Sequence, residues 1–401
     1  MSVAQPLRLN VVFMTRQPYP HGMAGTKILQ NLIDALRPFP EVCTQVLVLR
    51  GRHAGLRCTD PAGVYRGTPY RVIGAHRGSG LGAICHAPTD YRHAVAHLRQ
   101  VHDPAVGNVL FIYGGPDLAN LWIIGQARRL GYKTAFYLVE DVRVMPPAAG
   151  LGAWLDRQGE RLLSKRIGRL ADAVFAISTH LQAKAERLCK NRCPVTLLPI
   201  SVNPGDYPAE PTPFHDPVRI VYGGMFAEKD GVEDLIEAFD RVADTYPDVE
   251  LILTGQAREE RLEAVRARVR AARHCDRIHY KGYLAAEEYY PFLAEGDILC
   301  AIRRGSAFAA TGFPFKLGEY LATGKPVIAT AIGDIPRYLH DRTDAVLVPP
   351  NSVPALVEAM EYLLADRARA QRLGHAGRQV AWEHFSIDTI RGHLQEGLDR
   401  L

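Results

Sequence analysis

The chain is predicted to be an α/β protein with two Rossmann-like, parallel-sheet domains facing a central cleft. Three observations carry this. Short, continuously apolar runs alternate with amphipathic helical stretches along the whole length, which is the pattern of parallel strands covered on both faces. The segment 199–217, PISVNPGDYPAEPTPFHDP, holds six prolines and reads as a linker. Net charge changes sign at that point: residues 1–199 carry 25 Lys and Arg against 12 Asp and Glu, whereas residues 200–401 carry 23 against 31. At roughly 150 residues per domain, two to three domains are expected. The boundaries expected are 1–200, 201–381 and, for terminal helices packing back on the first domain, 382–401.

In the first half, LNVVFM at 9–14 reads as a buried strand. A helix follows over 26–36, with Ile28, Leu29, Leu32, Ile33 and Leu36 on one face. Strands are expected at 46–49, 109–113, 134–139 and 173–177, with helices at 117–131, 153–170 and 179–189. Residues 51–90 are rich in Gly, Arg and Pro and suggest no definite elements. In the second half, strands are expected at 219–222, 250–254, 277–280, 298–301, 326–329 and 345–348. Val232, Leu235, Ile236, Phe239 and Val242 recur at helical spacing between the first two.

Composition narrows the function. Apolar residues make up 47% and charged residues 23%, ordinary for a globular protein. No run reaches the roughly 18 apolar residues of a transmembrane helix, and the N-terminus does not resemble a secretory signal. The expected location is therefore the cytoplasm, with peripheral association at the inner membrane face. Seven scattered cysteines give no disulfide framework, and Cys189 and Cys193 read as structural rather than metal-binding. The basic first half suits an anionic surface or substrate. The helix at 153–170 sets Trp154, Leu155, Leu162, Leu163, Ile167 and Leu170 beside Arg157, Arg161, Lys165, Arg166 and Arg169, a composition that fits a membrane interface or a core helix with a solvated basic face. Nucleic acid is not expected, because no basic run with interleaved aromatics or helix-turn-helix pattern is present.

The richest stretch is 301–336, AIRRGSAFAATGFPFKLGEYLATGKPVIATAIGDIP. A strand ends, a loop carries Arg303 and Arg304, and a helix is expected to start near Phe313 with Pro314 at its first position. Gly312 and Phe313 would place backbone N–H groups at the positive end of that helix, an anion site suited to phosphate. The location, beyond the carboxyl end of a parallel strand, is where open α/β sheets bind ligands. A second stretch, IVYGGMFAEKDG at 220–231, runs a strand into Gly223 and Gly224, which allow close approach to a ligand. Lys229 follows as a point charge for the same phosphate. The GxGxxG fingerprint is absent, which disfavours a nicotinamide cofactor. In the first half, Glu140 and Asp141 follow a strand, and His21 and His93 are candidate bases.

These stretches, with LILTG at 251–255, HYKGYL at 279–284 and, more loosely, HGMAGTKILQNLIDAL at 21–36, FYLVEDV at 136–142 and ADAVFAIS at 171–178, resemble the retaining GT-B glycosyltransferases of family 4. The resemblance implies a GT-B fold with an acceptor-binding domain followed by a nucleotide-sugar donor domain. It implies transfer of a sugar from a UDP- or GDP-sugar to a glycan or lipid-linked acceptor, in surface polysaccharide or glycoconjugate assembly. It also implies retention of configuration, no metal and no cofactor. In its terms, Lys229 and Arg303 meet the donor diphosphate, and Ser306 belongs to an Arg-x-x-Ser loop. Gly312, Phe313 and Pro314 form the turn at the distal phosphate. Glu319 binds the ribose hydroxyls, and the backbone near Tyr283 faces the base. Gly223, Gly224, Lys316 and Leu317 complete the donor set. Gly25 and Thr26 approach the phosphates from the acceptor side, where Glu140 orients the acceptor.

Two positions depart from that pattern. Thr311 stands where a first glutamate commonly touches the transferred sugar, which leaves the sugar open. Gly224 stands where a basic residue is common, and Arg303 is the expected replacement for its charge. Two further readings fit the same residues: a non-catalytic nucleotide-sugar-binding partner of another transferase, or a nucleotide-sugar epimerase on the same fold.

Overall fold

A computed structural model describes residues 8–49, 52–53, 56–58, 60–74, 81–145 and 151–401. It divides into two compact units, Met1–Pro199 with Ile390–Leu401, and Ile200–Thr389.

The first unit is built in the order β1 (Leu9–Thr15), α1 (Ala24–Leu36), β2 (Val42–Leu49), β3 (Arg52–His53), β4 (Leu56–Arg57), β5 (Ala62–Tyr65), β6 (Thr68–Ile73), α2 (Leu81–Gln100), β7 (Gly107–Tyr113), α3 (Leu118–Arg129), β8 (Lys133–Leu138), α4 (Leu151–Ser164), α5 (Ile167–Leu170), β9 (Ala173–Ala176), α6 (Thr179–Cys189) and β10 (Val195–Leu197). Eight strands form one sheet in the order β10-β9-β8-β7-β1-β2-β6-β5. All its pairings are parallel except β5 with β6. The parallel-sheet expectation holds, and the antiparallel edge pair falls in the stretch 51–90 where no elements were expected. Arg66 and Gly67 both hold positive φ, 47° and 79°, the backbone of a two-residue hairpin whose twist matches its strands. The helix expected over 153–170 is broken in two, with Arg166 outside helical geometry at φ −107° and ψ 9°. The side chains of Leu155 and Arg157 lie outside the described residues.

The second unit follows as β11 (Val218–Met225), α7 (Val232–Val242), β12 (Val249–Gln256), α8 (Glu259–Arg270), β13 (Ile278–Tyr280), α9 (Ala286–Ala294), β14 (Ile298–Ala301), α10 (Ala307–Thr311), α11 (Phe315–Ala322), β15 (Val327–Thr330), α12 (Ile335–Tyr338), β16 (Val346–Val348), α13 (Val353–Leu364) and α14 (Arg367–Phe385); α15 (Ile387–Leu398), most of which belongs to the first unit, closes the chain. Six parallel strands lie in the order β13-β12-β11-β14-β15-β16. The chain winds outward from β11 to β13 and returns to place β14 on the other side of β11. That reversal makes a switch point between β11 and β14, where ligands of open sheets bind.

The amphipathic spacing of α7 is used as expected: Val232, Leu235, Ile236, Phe239 and Val242 are all buried in the core of this unit. Each such side chain is worth about 1.5–3 kcal/mol when fully buried. The proline-rich segment is not a free linker. The Thr212 hydroxyl donates to Ala294 O at 2.9 Å, His215 meets Asp297 at 3.0 Å, and Arg378 donates to Ala209 O at 2.7 Å, so it is fastened to the second unit. Helix α14 is seated by glycine: a Cβ on Gly374 would lie 2.3 Å from Gly324 O. Since that atom and the next two nearest, Lys325 C at 2.7 Å and Pro326 N at 2.8 Å, are all backbone, Gly374→Ala is expected to cost about 1–3 kcal/mol through overpacking, read as a lowered Tm in thermal denaturation. An unchanged Tm would show that α14 shifts freely.

Candidate functional site

At the switch point the loops after β11 and β14 meet. Strand β11 carries Gly223 and Gly224 just before its last residue, Met225, and a short 3-10 turn, Glu228–Asp230, carries Lys229. Gly231 closes that turn in the left-handed region, φ 62°, and α7 begins. The Lys229 carbonyl accepts from Arg304 N at 2.7 Å, and the Lys229 ammonium stands 4.4 Å above the Phe308 ring. The structure therefore brings together the two stretches that the sequence singled out 70 or more positions apart.

The two arginines divide their roles. Arg304 pairs with Asp234 at 2.7 and 3.1 Å and serves the loop's own structure. Arg303 is buried, takes a main-chain bond to Thr330 Oγ1 at 2.9 Å and donates from Nη1 to Ala309 O at 2.9 Å. Ser306 caps α10, its Oγ accepting from Ala309 N at 3.0 Å. Its hydroxyl thus supports the loop locally. Thr311 Oγ1 donates to Phe308 O at 3.0 Å.

The turn Gly312–Phe313–Pro314 joins α10 to α11, but the helix starts at Phe315, and Pro314 occupies the capping position with φ −73° and ψ 113°. This corrects the expected start by two residues. The reason is that Pro314 keeps a helical φ but an extended ψ, so the helix begins only after it; the Phe313 ring is held in an aromatic cluster 5.5 Å from both Tyr338 and Phe385. Leu317 is fully buried, so only its backbone faces the turn, with N donating to Pro314 O at 3.0 Å.

Lys316 is the cation nearest the glycine pair. Its ammonium lies 4.0 Å from the centre of the Tyr222 ring, hydrogen-bonds Tyr222 Oη and stands 3.8 Å from Asp230 Oδ1. A Cβ on Gly224, whose φ is 139°, would be 2.8 Å from Lys316 Nζ. The room beside Gly224 is thus taken by Lys316, whereas the sequence reading assigned the missing charge to Arg303. Burial pushes the Lys316 amine down to about 8, against the attraction of Asp230 and with the repulsion of Arg303 and Lys229.

Glu319, one helical turn further along α11, is only 6% exposed and accepts from Tyr290 Oη at 3.1 Å. Its negative charge adds to burial in holding the Tyr207, Tyr289 and Tyr290 phenols well above their ordinary range. The Tyr320 hydroxyl accepts from Gly223 N at 2.7 Å and donates to Gly223 O at 2.8 Å, which fixes the end of β11. The Tyr289 ring lies where a Gly223 side chain would be, 2.8 Å from an ideal Cβ. Tyr283 is exposed in the loop after β13. That loop is tied to β12 by Gly255 N and Thr254 Oγ1, which both donate to Gly282 O at 2.8 Å. Tyr222, Asp230, Tyr289, Tyr290 and Tyr320 escaped the sequence reading. The only available signal was Tyr222 directly before the glycine pair.

In the first unit, Gly25 and Thr26 lie in the first turn of α1 and not in a loop. Thr26 Oγ1 donates to Pro18 O at 2.5 Å, which ties the helix start to the chain leaving β1. Glu140 is exposed just beyond β8, while neighbouring Asp141 is buried, hydrogen-bonded to Lys184 and 3.5 Å from His180 Nε2. Among the described residues no group of three or more His, Cys, Asp or Glu is placed to hold a metal ion.

Comparison with known proteins agrees with this layout. The sequence profile described as Glycosyl transferases group 1 matches residues 217–366, which run from the start of β11 past the end of α13. A GDP-mannose-dependent alpha-(1-6)-phosphatidylinositol monomannoside mannosyltransferase of Mycobacterium tuberculosis is 22% identical over 59% of this chain and 64% of that protein, so the match falls short of the relative's full length. An alpha-maltose-1-phosphate synthase of Mycolicibacterium smegmatis is 30% identical over 68% of this chain and 76% of its own. The solved sucrose-phosphate synthase of Thermosynechococcus elongatus superposes with a TM-score of 0.76 at 18% identity, covering 97% of this chain and 98% of that one. The fold is GT-B, two parallel-sheet α/β domains. A profile lying over the strands and loops that hold Gly223, Lys229, Arg303 and Glu319, together with a 30% identical relative covered over most of its length, places the chain in the group 1 glycosyl transferase family.

Proposed function

We propose that the chain transfers a sugar from a nucleoside diphosphate sugar to an acceptor, with retention of configuration, as the family 4 resemblance implies. The observation that carries the proposal is the gathering of three cations: Lys316 lies beside Gly224 at the end of β11, Lys229 and Arg303 are close enough to repel its ammonium, and a buried carboxylate, Glu319, stands on the same helix as Lys316. A departing nucleoside diphosphate gains negative charge in the transition state. Cations and helix N-terminal amides set in advance stabilise that charge, and one such donor is worth about 2.7–4 kcal/mol. These side chains supply the charge in this reading, and no metal or cofactor takes part. Glu319 accepts hydrogen bonds from two ribose hydroxyls, a task suited to a carboxylate. Thr311 in place of an acidic residue leaves the sugar's contacts to the loop backbone.

Calorimetric titration with UDP, GDP and ADP tests this reading. One nucleotide is expected to bind, and Glu319→Gln to weaken it about tenfold or more, since a hydrogen bond to a charged group is worth about 1.5–3 kcal/mol. Unchanged affinity in a folded variant would remove Glu319 from ribose binding. The named substrate of the mannosyltransferase relative favours a GDP-sugar donor and a lipid-linked acceptor.

A lipid-linked acceptor requires the enzyme to reach a membrane surface. Trp154 and Leu162 on α4 are 50% and 64% exposed, and Lys165, Arg166 and Arg169 beyond them are exposed. Among the described residues no helix is long and apolar enough to cross a membrane. Peripheral binding at the inner membrane face is therefore proposed. Flotation with anionic phosphatidylglycerol vesicles is expected to carry the protein, and Trp154→Ala with Leu162→Ala to leave it in the soluble fraction. Equal flotation of the double variant would refute this surface.

A further inference from the structure

We propose that Cys189 and Cys193 form a modification site, a dithiol beneath a surface turn that a hydroperoxide converts to an intramolecular disulfide. Cys189 ends α6 and Cys193 lies two residues before β10. Their sulfurs are 2.8 Å apart, whereas the sulfur contacts of Cys58 are 3.3 and 3.4 Å. Less than 1 Å of closure reaches the S–S length of about 2.05 Å. The two side chains are 1% and 6% exposed, packed with Ile167, Ala171 and Val174.

The backbone between them is built for the approach. Lys190 and Asn191 are both left-handed, φ 51° and 60°, and Arg192 N donates to Cys189 O at 3.0 Å. Two consecutive non-glycine residues in that region each cost of order 1 kcal/mol, and this turn is what folds Cys193 back onto Cys189. Lys190, Asn191 and Arg192 are exposed. The dithiol is therefore one short turn away from solvent, just before β10, an edge strand of its sheet. Ordinary core packing explains the burial of two small side chains. It does not explain a strained turn that sets the sulfurs inside normal contact distance.

The chemistry balances with a hydroperoxide as oxidant. The Cys193 thiolate attacks the terminal peroxide oxygen, the O–O bond breaks, and the alkoxide takes a proton and leaves as alcohol. The resulting sulfenic acid is attacked by Cys189 sulfur. The S–S bond forms, hydroxide leaves, and the Cys189 proton converts it to water. Two thiols and one hydroperoxide thus give one disulfide, one alcohol and one water, with two electrons passing to the peroxide. Cys193, 6% exposed against 1% for Cys189 and next to the exposed turn, is the sulfur that meets the peroxide first.

The test uses the full-length native protein, treated with hydrogen peroxide, denatured, capped with N-ethylmaleimide and digested with trypsin without reductant. Cleavage after Arg187, Lys190 and Arg192 puts the two cysteines in different peptides. The expected result is a linked pair, Leu188–Lys190 with the peptide that begins at Cys193, carrying most of the Cys189 and lost on dithiothreitol treatment. Capping of both thiols by maleimide, at a peroxide dose that oxidises exposed Cys43 and Cys275, would overturn the proposal. So would conversion of either to sulfinic acid with no link. The wild-type map decides alone. Cys193→Ser adds that the link vanishes while Cys189 remains a free thiol.

Discussion

Lys229→Ala is expected to lower kcat about a hundredfold or more, in line with the loss seen when a single preset donor to a developing charge is removed. The Lys229 ammonium is placed by local structure and not by the core: the residue sits in the 3-10 turn before α7, and its head rests over Phe308. Its structural contribution is through the main chain, where its carbonyl accepts from Arg304 N, and alanine keeps that bond. The fold should therefore survive with an unchanged Tm. Because the diphosphate gains charge as the sugar leaves, the loss belongs mainly to kcat, with KM for the donor rising less. Lys229→Arg keeps the charge but not the point geometry and should recover only part of the rate. Turnover within about threefold of wild type in the alanine variant would exclude Lys229 from leaving-group stabilisation.

Much of this candidate site was legible because the ligand-binding edge of an open α/β sheet is a matter of strand ends and loops. The apolar runs at 219–222 and 298–301 announce β11 and β14. The residues just past them, Gly223 to Lys229 and Arg303 to Pro314, then fall at the carboxyl edge by topology alone. What stayed hidden has two physical causes. Side-chain direction is not written in a periodicity: the Phe313 and Leu317 side chains serve the interior, which leaves their main chain for the turn. Tyrosines near the site read as core because they are largely apolar, yet Tyr290 and Tyr320 spend their hydroxyls on Glu319 and Gly223. Residues 51–90 resisted for another reason. A short antiparallel hairpin at a sheet edge, β5 with β6, is neither a long buried strand nor an amphipathic helix.

Gly224 and Lys316 show the gain from geometry most clearly, and they carry the last expected result. The Lys316 ammonium occupies the space that any side chain at 224 would need, so a glycine there and a lysine on α11 are one arrangement. With its amine lowered to about 8 by burial, Lys316 loses its charge as pH rises through that value. Donor kcat/KM, which reports groups of the free enzyme, should then fall above about pH 8. The limb in kcat should lie at higher pH, because bound diphosphate favours the protonated amine. Lys316→Met should lower kcat/KM at pH 7 by about tenfold to a hundredfold and abolish the alkaline limb. Lys316→Arg, always charged, should remove the limb while keeping more of the rate. Stability moves the other way. The folded amine sits below its unfolded value of 10.5, so the unfolded chain binds more protons between about pH 8 and 10.5, and the wild type gains stability as pH rises through that window. At pH 7 the cost of burying the charge is fully present, and Lys316→Met is expected to melt no lower than wild type. A methionine variant that is as stable as wild type, has lost rate and has no alkaline limb would locate the effect in the charge. An alkaline limb that persists in Lys316→Met would assign that titration to another group and leave Lys316 as packing beside Gly224.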